Sequence, residues 1–494
     1  MYLYPKRHRI FTMPSTTRTV SETSFPARVD RYFKISERRS TFATEVRGGI
    51  ATFFAMSYIV VLNPLVLSGA DASGGELGIQ RVAAVTAFVA GILTILMGIW
   101  ARHPFAMATG LGVNAFVAIT VATNPELTWP DVMGLVVVAG IVMFLLVLTG
   151  FRTAVFRAVP AGLKTAIVVG IGMFIALIGL VNAGFVQRIP DAANTTVPVG
   201  LGFDGKLMGW PIVVFVVGLL LTMALVVRKV KGAILIGIVA AAALANIFEA
   251  VFNIGEKETS TWSLVVPSLP SWTLPDLSLI GQVNLFGSFE KLGVTAASLL
   301  AFVILLSIFF DAMGTMVGLA SEAGVLDKDG NIPNVDKVLL VDAAGAIVGG
   351  GTSSSSAQIF VESGAGIGEG ARTGLASVVT GLMLIVAMFL TPLIHLVPFE
   401  AVAPALVVVG FMMVSQVSKI DWNDWGIALP AFLTFTLMPF TFSIANGIGA
   451  GFISYVFIRA AQGRAKEIHP LMWVVAAAFV LFFGIGLIEN LIGM

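Results

Sequence analysis

Gly349-Gly-Gly-Thr-Ser-Ser-Ser-Ser-Ala-Gln-Ile-Phe-Val-Glu362-Ser-Gly-Ala-Gly366 lies among long apolar blocks, yet its glycine and serine runs weaken any helix. A second interruption, Pro104-Phe-Ala-Met-Ala-Thr-Gly-Leu-Gly-Val-Asn114-Ala115, occurs earlier in the chain. Non-helical backbone at membrane depth survives only when it is buried in protein or lines a water-filled cavity. Interruptions at matching positions of two halves point to a transport site. The bland reading is tight helix packing through small residues. The later segment is no phosphate-binding loop, because it lacks the Gly-Lys-Ser/Thr ending.

The rest of the chain supports a membrane setting. Of 494 residues 57% are hydrophobic and 12% charged, with a mean hydropathy of +0.95, against about 25% charged in a soluble domain. Uncharged blocks such as Ile50–Gly69, Val82–Trp100, Val132–Gly150, Thr165–Val181, Trp210–Val227 and Gly232–Phe252 approach the roughly 20 residues that span a hydrocarbon core. The fold class is therefore an all-α polytopic membrane protein. A net charge of +1 points to no nucleic-acid partner and no acidic substrate. Without cysteine, and with four scattered histidines, neither a disulfide nor a metal site is expected, and no cofactor is called for.

About fourteen spanning segments are expected. Seven fall near 48–69, 82–100, 105–121, 132–150, 163–182, 209–228 and 231–252. Seven more fall near 294–320, 337–350, 353–369, 373–394, 400–417, 425–440 and 443–460. The implied domains are a cytoplasmic, largely disordered tail (1–47), a first seven-span repeat (48–252), an extracytoplasmic loop (253–293) and a second repeat (294–460). A basic linker with an extra apolar helix (461–494) completes the chain. With a cytoplasmic N-terminus, cytoplasmic loops hold 20 Lys/Arg and exterior loops five, namely Arg81, Arg188, Lys206, Lys257 and Lys291. That bias is what the positive-inside rule predicts. Seven spans per half makes the halves inverted repeats, with the interruptions third in each. The Trp210-Pro211 and Leu429-Pro430 helix starts echo one another weakly.

Carboxylates inside spans sharpen the picture. Asp311 and Glu362 each cost about 2.5–3.5 kcal/mol at a helix centre on the insertion scale. Ser307, Asp311, Gly314 and Gly318 share a helix face, a small polar stripe. Desolvation penalises an ionised carboxylate, so Asp311 and Glu362 are candidate proton carriers; a structural hydrogen bond is the alternative for each. Asn114 offers an amide donor–acceptor pair suited to a heterocycle edge, or an inter-helix bond. Phe116, Phe310 and Phe360 could sandwich a planar ligand or simply pack. His103 and His395 read as interfacial, and Asn194-Thr195-Thr196 is a sequon by pattern only.

At these residues the chain resembles the azaguanine-type branch of the nucleobase–cation symporter-2 family. The motifs are Thr52-Phe-Phe-Ala-Met-Ser-Tyr-Ile-Val-Val-Leu-Asn-Pro64, Gly110-Leu-Gly-Val-Asn-Ala-Phe116, Phe310-Asp-Ala-Met-Gly-Thr315, Val361-Glu-Ser-Gly-Ala-Gly366, Glu369-Gly-Ala-Arg-Thr-Gly374, Pro404-Ala-Leu-Val-Val-Val-Gly410 and Pro430-Ala-Phe-Leu-Thr434. The resemblance covers about residues 40–490. It implies fourteen helices in two inverted repeats, split into core and gate domains, with the third and tenth spans broken by short extended pieces. It implies uptake of adenine, guanine and hypoxanthine with protons through the bacterial cytoplasmic membrane, with a homodimer admitted and lipid as surroundings. By this resemblance Asn114 and Glu362 hold the base and Asp311 tunes proton coupling. Gly112, Ser307, Phe310, Gln358, Phe360 and Ser363 join the substrate site, and Gly314 and Thr315 pack beside it. Ile308 stands where the family usually has an aspartate, and Gln358 and Phe360 stand where Thr or Ser and Tyr are expected. Another heterocycle, such as uracil or xanthine, or an anion thus remains a second reading.

Overall fold

The computed structural model describes residues 25–492 apart from 72, 151–157, 189–198, 203–204, 231, 257–261, 264–265, 269–271 and 326–331. The sequon and most of the N-terminal tail lie outside the described residues. Helices dominate: α1 (Phe25–Phe33), α2 (Phe42–Met56), α3 (Ile59–Val66) and α4 (Ile79–Leu96), then strand β1 (Met107–Thr109), α5 (Leu111–Thr123), α6 (Trp129–Leu148) and α7 (Ala161–Asn182). A short hairpin, β2 (Val186–Arg188) with β3 (Val199–Leu201), precedes α8 (Trp210–Val227) and α9 (Ala233–Phe252). The second half runs α10 (Gly287–Glu322), α11 (Val335–Gly351), β4 (Ala357–Ile359), α12 (Ser363–Gly368), α13 (Gly374–Ala387), α14 (Phe399–Val414), α15 (Trp425–Phe440), α16 (Ile444–Ala461) and α17 (Pro470–Ile492).

Among the described residues nine helical segments are long and apolar enough to cross a membrane. Each of the fourteen expected segments coincides with a helix, a helix pair or a strand–helix pair. Their outer faces leave Leu145, Leu220, Val251, Phe411 and Phe457 exposed, which suits contact with lipid rather than water. The helices pack in two groups. In one, α6 lies against α10 and α11, α4 against α13, and α2 against α12 and α13. In the other, α7 packs on α14 and α15, α15 on α16, and α8 on α9 and α14. At the centre of the second group Gly172 and Gly410 face each other. A Cβ on either would lie 2.7 or 2.5 Å from the other's carbonyl oxygen, so only glycine lets α7 and α14 come this close. The terminal helix α17 packs along α16, with Phe479 against Phe452 and Phe302.

Both interruptions are extended, as the family resemblance implies. β1 and β4 pair antiparallel, Met107 opposite Ile359, Ala108 opposite Gln358 and Thr109 opposite Ala357. Two flanking bonds lengthen the ribbon, from Gly110 N–H to Ser356 C=O and from Phe360 N–H to Ala106 C=O, each 2.9 Å. A two-stranded ribbon has outer edges, and unpaired backbone groups there are costly away from water. The Thr94 hydroxyl on α4 covers one edge, accepting from Met107 N–H at 2.8 Å and donating to its C=O at 3.1 Å. Asp342 on α11 covers the other, accepting from Ile359 N–H at 3.3 Å.

Candidate functional site

The crossing of β1 and β4 packs within the first helix group, and a cavity of ≈ 60 Å³ opens between it and the second. One wall comes from the first group: Tyr58, Gly110, Gly112, Thr315, Gln358, Phe360 and Glu362. The facing wall is apolar, with Val168, Ile171 and Ile175 of α7 and Val409 and Met413 of α14. Gln416 closes one end.

Gln358 is 1% exposed, and neither its Oε1 nor its Nε2 makes a hydrogen bond among the described residues. Its carboxamide lies across Gly110, where a Cβ would stand 2.9 Å from it. A buried amide left unpaired costs roughly 1–3 kcal/mol, so a ligand able to pair with it would recover that cost. Glu362 is partly exposed at the start of α12 and accepts a 2.6 Å bond from the Tyr58 hydroxyl. Phe360 leans on the Tyr58 ring, with centroids 6.2 Å apart.

Of the residues expected at the site, Gly112, Thr315, Gln358, Phe360 and Glu362 line this cavity. Asn114 does not. It is fully buried behind the first interruption, and its Nδ2 donates to Asn63 Oδ1. Asn63 in turn donates to the Thr86 hydroxyl at 2.7 Å and to Ser354 C=O at 3.2 Å. One side chain thus ties α3, α4, α5 and the turn before β4 together. Ser363 is likewise a tie, accepting from Ala106 N–H at 2.9 Å and donating to Phe360 C=O at 2.7 Å. Ser307 is buried, makes no hydrogen bond among the described residues and is not among those lining the cavity. Ile308 is fully buried in the apolar core and does not line this cavity. Phe116 packs against the same core. Asp311, Phe310 and Gly314 fall on α10, and their side chains are outside the described residues.

The sequence reading passed over Tyr58, Asn63, Thr94 and Asp342. Asp342 gave a usable signal, being a carboxylate inside an expected span; Tyr58 and Asn63 stood inside a quoted motif without a role.

Two wider hollows flank the crossing. One, ≈ 480 Å³, runs between α2, α12 and α14 to the α8–α9 turn at Lys229 and Gly232, and it shares Glu362, Val409, Met413 and Gln416 with the central cavity. The other, ≈ 500 Å³, lies towards Ser68, Trp129 and Phe442 and shares no lining residue with it.

Two interrupted segments crossing between two helix groups define a transporter-type membrane domain. The chain matches the Permease family (Xan_ur_permease) over residues 43–450 and belongs to it. Its relatives include a putative permease of Methanocaldococcus jannaschii, 37% identical over 92% of this chain and 98% of that protein. Guanine/hypoxanthine permease PbuG of Bacillus subtilis is 33% identical over 92% and 98% respectively, and adenine permease AdeQ of Escherichia coli 35% over 92% and 95%. These matches agree with the resemblance to the azaguanine-type branch, and they mark the chain as a transporter rather than an enzyme. Among solved structures, the transmembrane domain of a cyanobacterial bicarbonate transporter, BicA, aligns with a TM-score of 0.57 at 15% identity, covering 83% of this chain and 97% of that one. The murine anion transporter Slc26a9 aligns at 0.58 and 13% identity, covering 93% and 77%. The chain therefore has the inverted-repeat fold of these transporter membrane domains.

Proposed function

We propose that this protein is a secondary active transporter that takes up a purine nucleobase together with protons across the plasma membrane, by alternating access, with its N-terminus in the cytoplasm. The observation that carries the reading is the unbonded, buried Gln358 carboxamide beside Glu362, facing the gate. A carboxamide presents donors and an acceptor in one plane, the pattern that pairs bidentately with a purine edge. Glu362 accepts from a ring N–H, and the Phe360–Tyr58 pair supplies an apolar surface for a flat base. Relatives named for adenine and for guanine/hypoxanthine support a purine.

At ≈ 60 Å³ the central cavity has room for a few waters and none for a bicyclic base. The base enters when the gate wall of α7 and α14 moves off the core. The hollow reaching Lys229 is the inward route and the opposite one the outward route, so Glu362 faces the cytoplasmic side in this conformation. Exposure of one carboxylate to each side in turn is what couples a proton to the base.

Uptake of labelled hypoxanthine, adenine, guanine and uracil in cells lacking their own nucleobase permeases tests this. Purine accumulation should be faster at acid external pH and collapse with an uncoupler. Accumulation indifferent to both would remove the proton, and a preference for uracil would remove the purine.

A further inference from the structure

A separate hollow of ≈ 660 Å³ lies where the turn after α1, Arg102, the turn after α10 at Ala323–Val325, Pro333 and Asn334 before α11, and Arg372 after α12 converge. Among the described residues five cations line it, Lys34, Arg38, Arg39, Arg102 and Arg372, against one carboxylate, Glu37. Glu37 pairs with Lys34 at 3.1 Å on the exposed rim. No ion pair ties Arg38, Arg39, Arg102 or Arg372 to a carboxylate among the described residues. Glu45, the other acidic group near Arg38, is fully buried, and it accepts from the backbone N–H groups of Arg372 and Thr373 at 2.8 and 3.2 Å.

The arginines are held in place from behind. Arg38 Nη1 donates to the C=O groups of Arg102 and Arg372, both at 2.9 Å. Arg372 Nη1 donates to Ile367 and Ala371 C=O, both at 2.7 Å. The Arg102 guanidinium sits 4.4 Å from the centre of the Tyr32 ring. One nitrogen each of Arg38 and Arg372 is used this way, leaving the rest of each donor fork for a ligand. Fixed like charges repel one another, and an anion reverses that repulsion while accepting bidentate bonds.

We infer that this hollow binds a phosphate-bearing anion, supplied either by the headgroup of an anionic phospholipid or by a soluble phosphate ester. Exposed Phe42, Ile99 and Trp100 lie close by in the chain to its cationic wall, where acyl chains would run. The ligand would bridge the chain entering β1 and the chain leaving α12, stiffening the core without touching the substrate cavity.

The test is the thermal unfolding midpoint of the purified full chain in neutral detergent at fixed ionic strength. The probes are pyrophosphate against chloride, and phosphatidylglycerol against phosphatidylcholine in mixed micelles. The midpoint should rise by a few degrees with pyrophosphate, with phosphatidylglycerol or with both, and not with chloride or phosphatidylcholine. A rise with phosphatidylglycerol alone assigns a lipid headgroup, and one that includes pyrophosphate assigns a soluble ester. The rise should vanish in Arg102→Gln and in the double variant Lys34→Gln/Arg39→Gln, whose exposed side chains hold no backbone group. No rise in the unmodified protein, or an undiminished rise in both variants, overturns the inference.

Discussion

The two interrupted segments are built alike and used differently. In the first, β1 with α5, the polar side chains turn inward. Asn114 gives its Nδ2 to Asn63 while its buried Oδ1 makes no hydrogen bond among the described residues, Thr109 faces the same asparagine at 3.5 Å, and only Gly110, Leu111 and Gly112 reach the cavity. In the second, β4 with α12, Gln358 and Glu362 line the cavity, and the Gln358 carboxamide makes no hydrogen bond among the described residues. Inverted repeats bring two equivalent interruptions to one crossing, but one arm can become the frame and the other the reader. A polar group cannot both satisfy its buried neighbour and await a ligand at the same atom.

The largest effect should come from the reading arm. Glu362→Gln is expected to abolish purine uptake while the protein still reaches the membrane; unchanged uptake would take Glu362 out of the site. Gln358→Leu should come next, raising KM by roughly tenfold to a hundredfold, the equivalent of about 1–3 kcal/mol for a lost pairing, with the unfolding midpoint almost unmoved. A KM indifferent to this change would leave the second arm no more a reader than the first.

The framing arm should answer in the opposite way. Asn114→Ala strands the buried Asn63 Oδ1 and should destabilise the protein by about 1–3 kcal/mol, read as a lower unfolding midpoint and less folded protein, with KM of the remainder little changed. A raised KM at unchanged stability would break the distinction, because Asn114 would then touch the base in another state of the cycle. Gly110→Ala should have a smaller effect, pushing the Gln358 carboxamide aside by a few tenths of an ångström and raising KM severalfold.

An effect confined to acid pH is expected at the entry to the first arm. Burial lowers the His103 pKa to about 4, opposed by its 2.7 Å bond to Pro333 C=O. The unfolded chain takes up that proton near pH 6.5 and the folded one only near pH 4, so stability falls as pH drops between those values. His103→Gln should flatten that part of the stability profile, and an unaltered profile would show that His103 is not its source.

Much of this was legible beforehand. The glycine and serine run at residues 349–356 weakens a helix, which ends within it at Gly351, and the flanking blocks are too apolar for water, so an interrupted membrane segment followed from local chemistry alone. The pairing of β1 with β4 was not legible, because hydrogen bonds between residues 250 apart leave no periodic trace. Thr94 and Asp342 escaped for the same reason. Each looks like an isolated polar residue in an apolar helix until the ribbon edge it covers is seen. Asn114 carried two readings from sequence, and proximity to Asn63 shows the inter-helix bond in this conformation.

Composition and spacing by themselves determined that this chain lives in a membrane, where its helices run and which two places break, since hydrophobic length and helix propensity are properties of contiguous residues. Only the tertiary structure decided that those breaks cross each other, which of their polar atoms are consumed in holding the crossing and which face a cavity. Whether a polar atom is satisfied depends on what stands within about 3 Å of it, and for these residues that neighbour comes from a distant part of the chain.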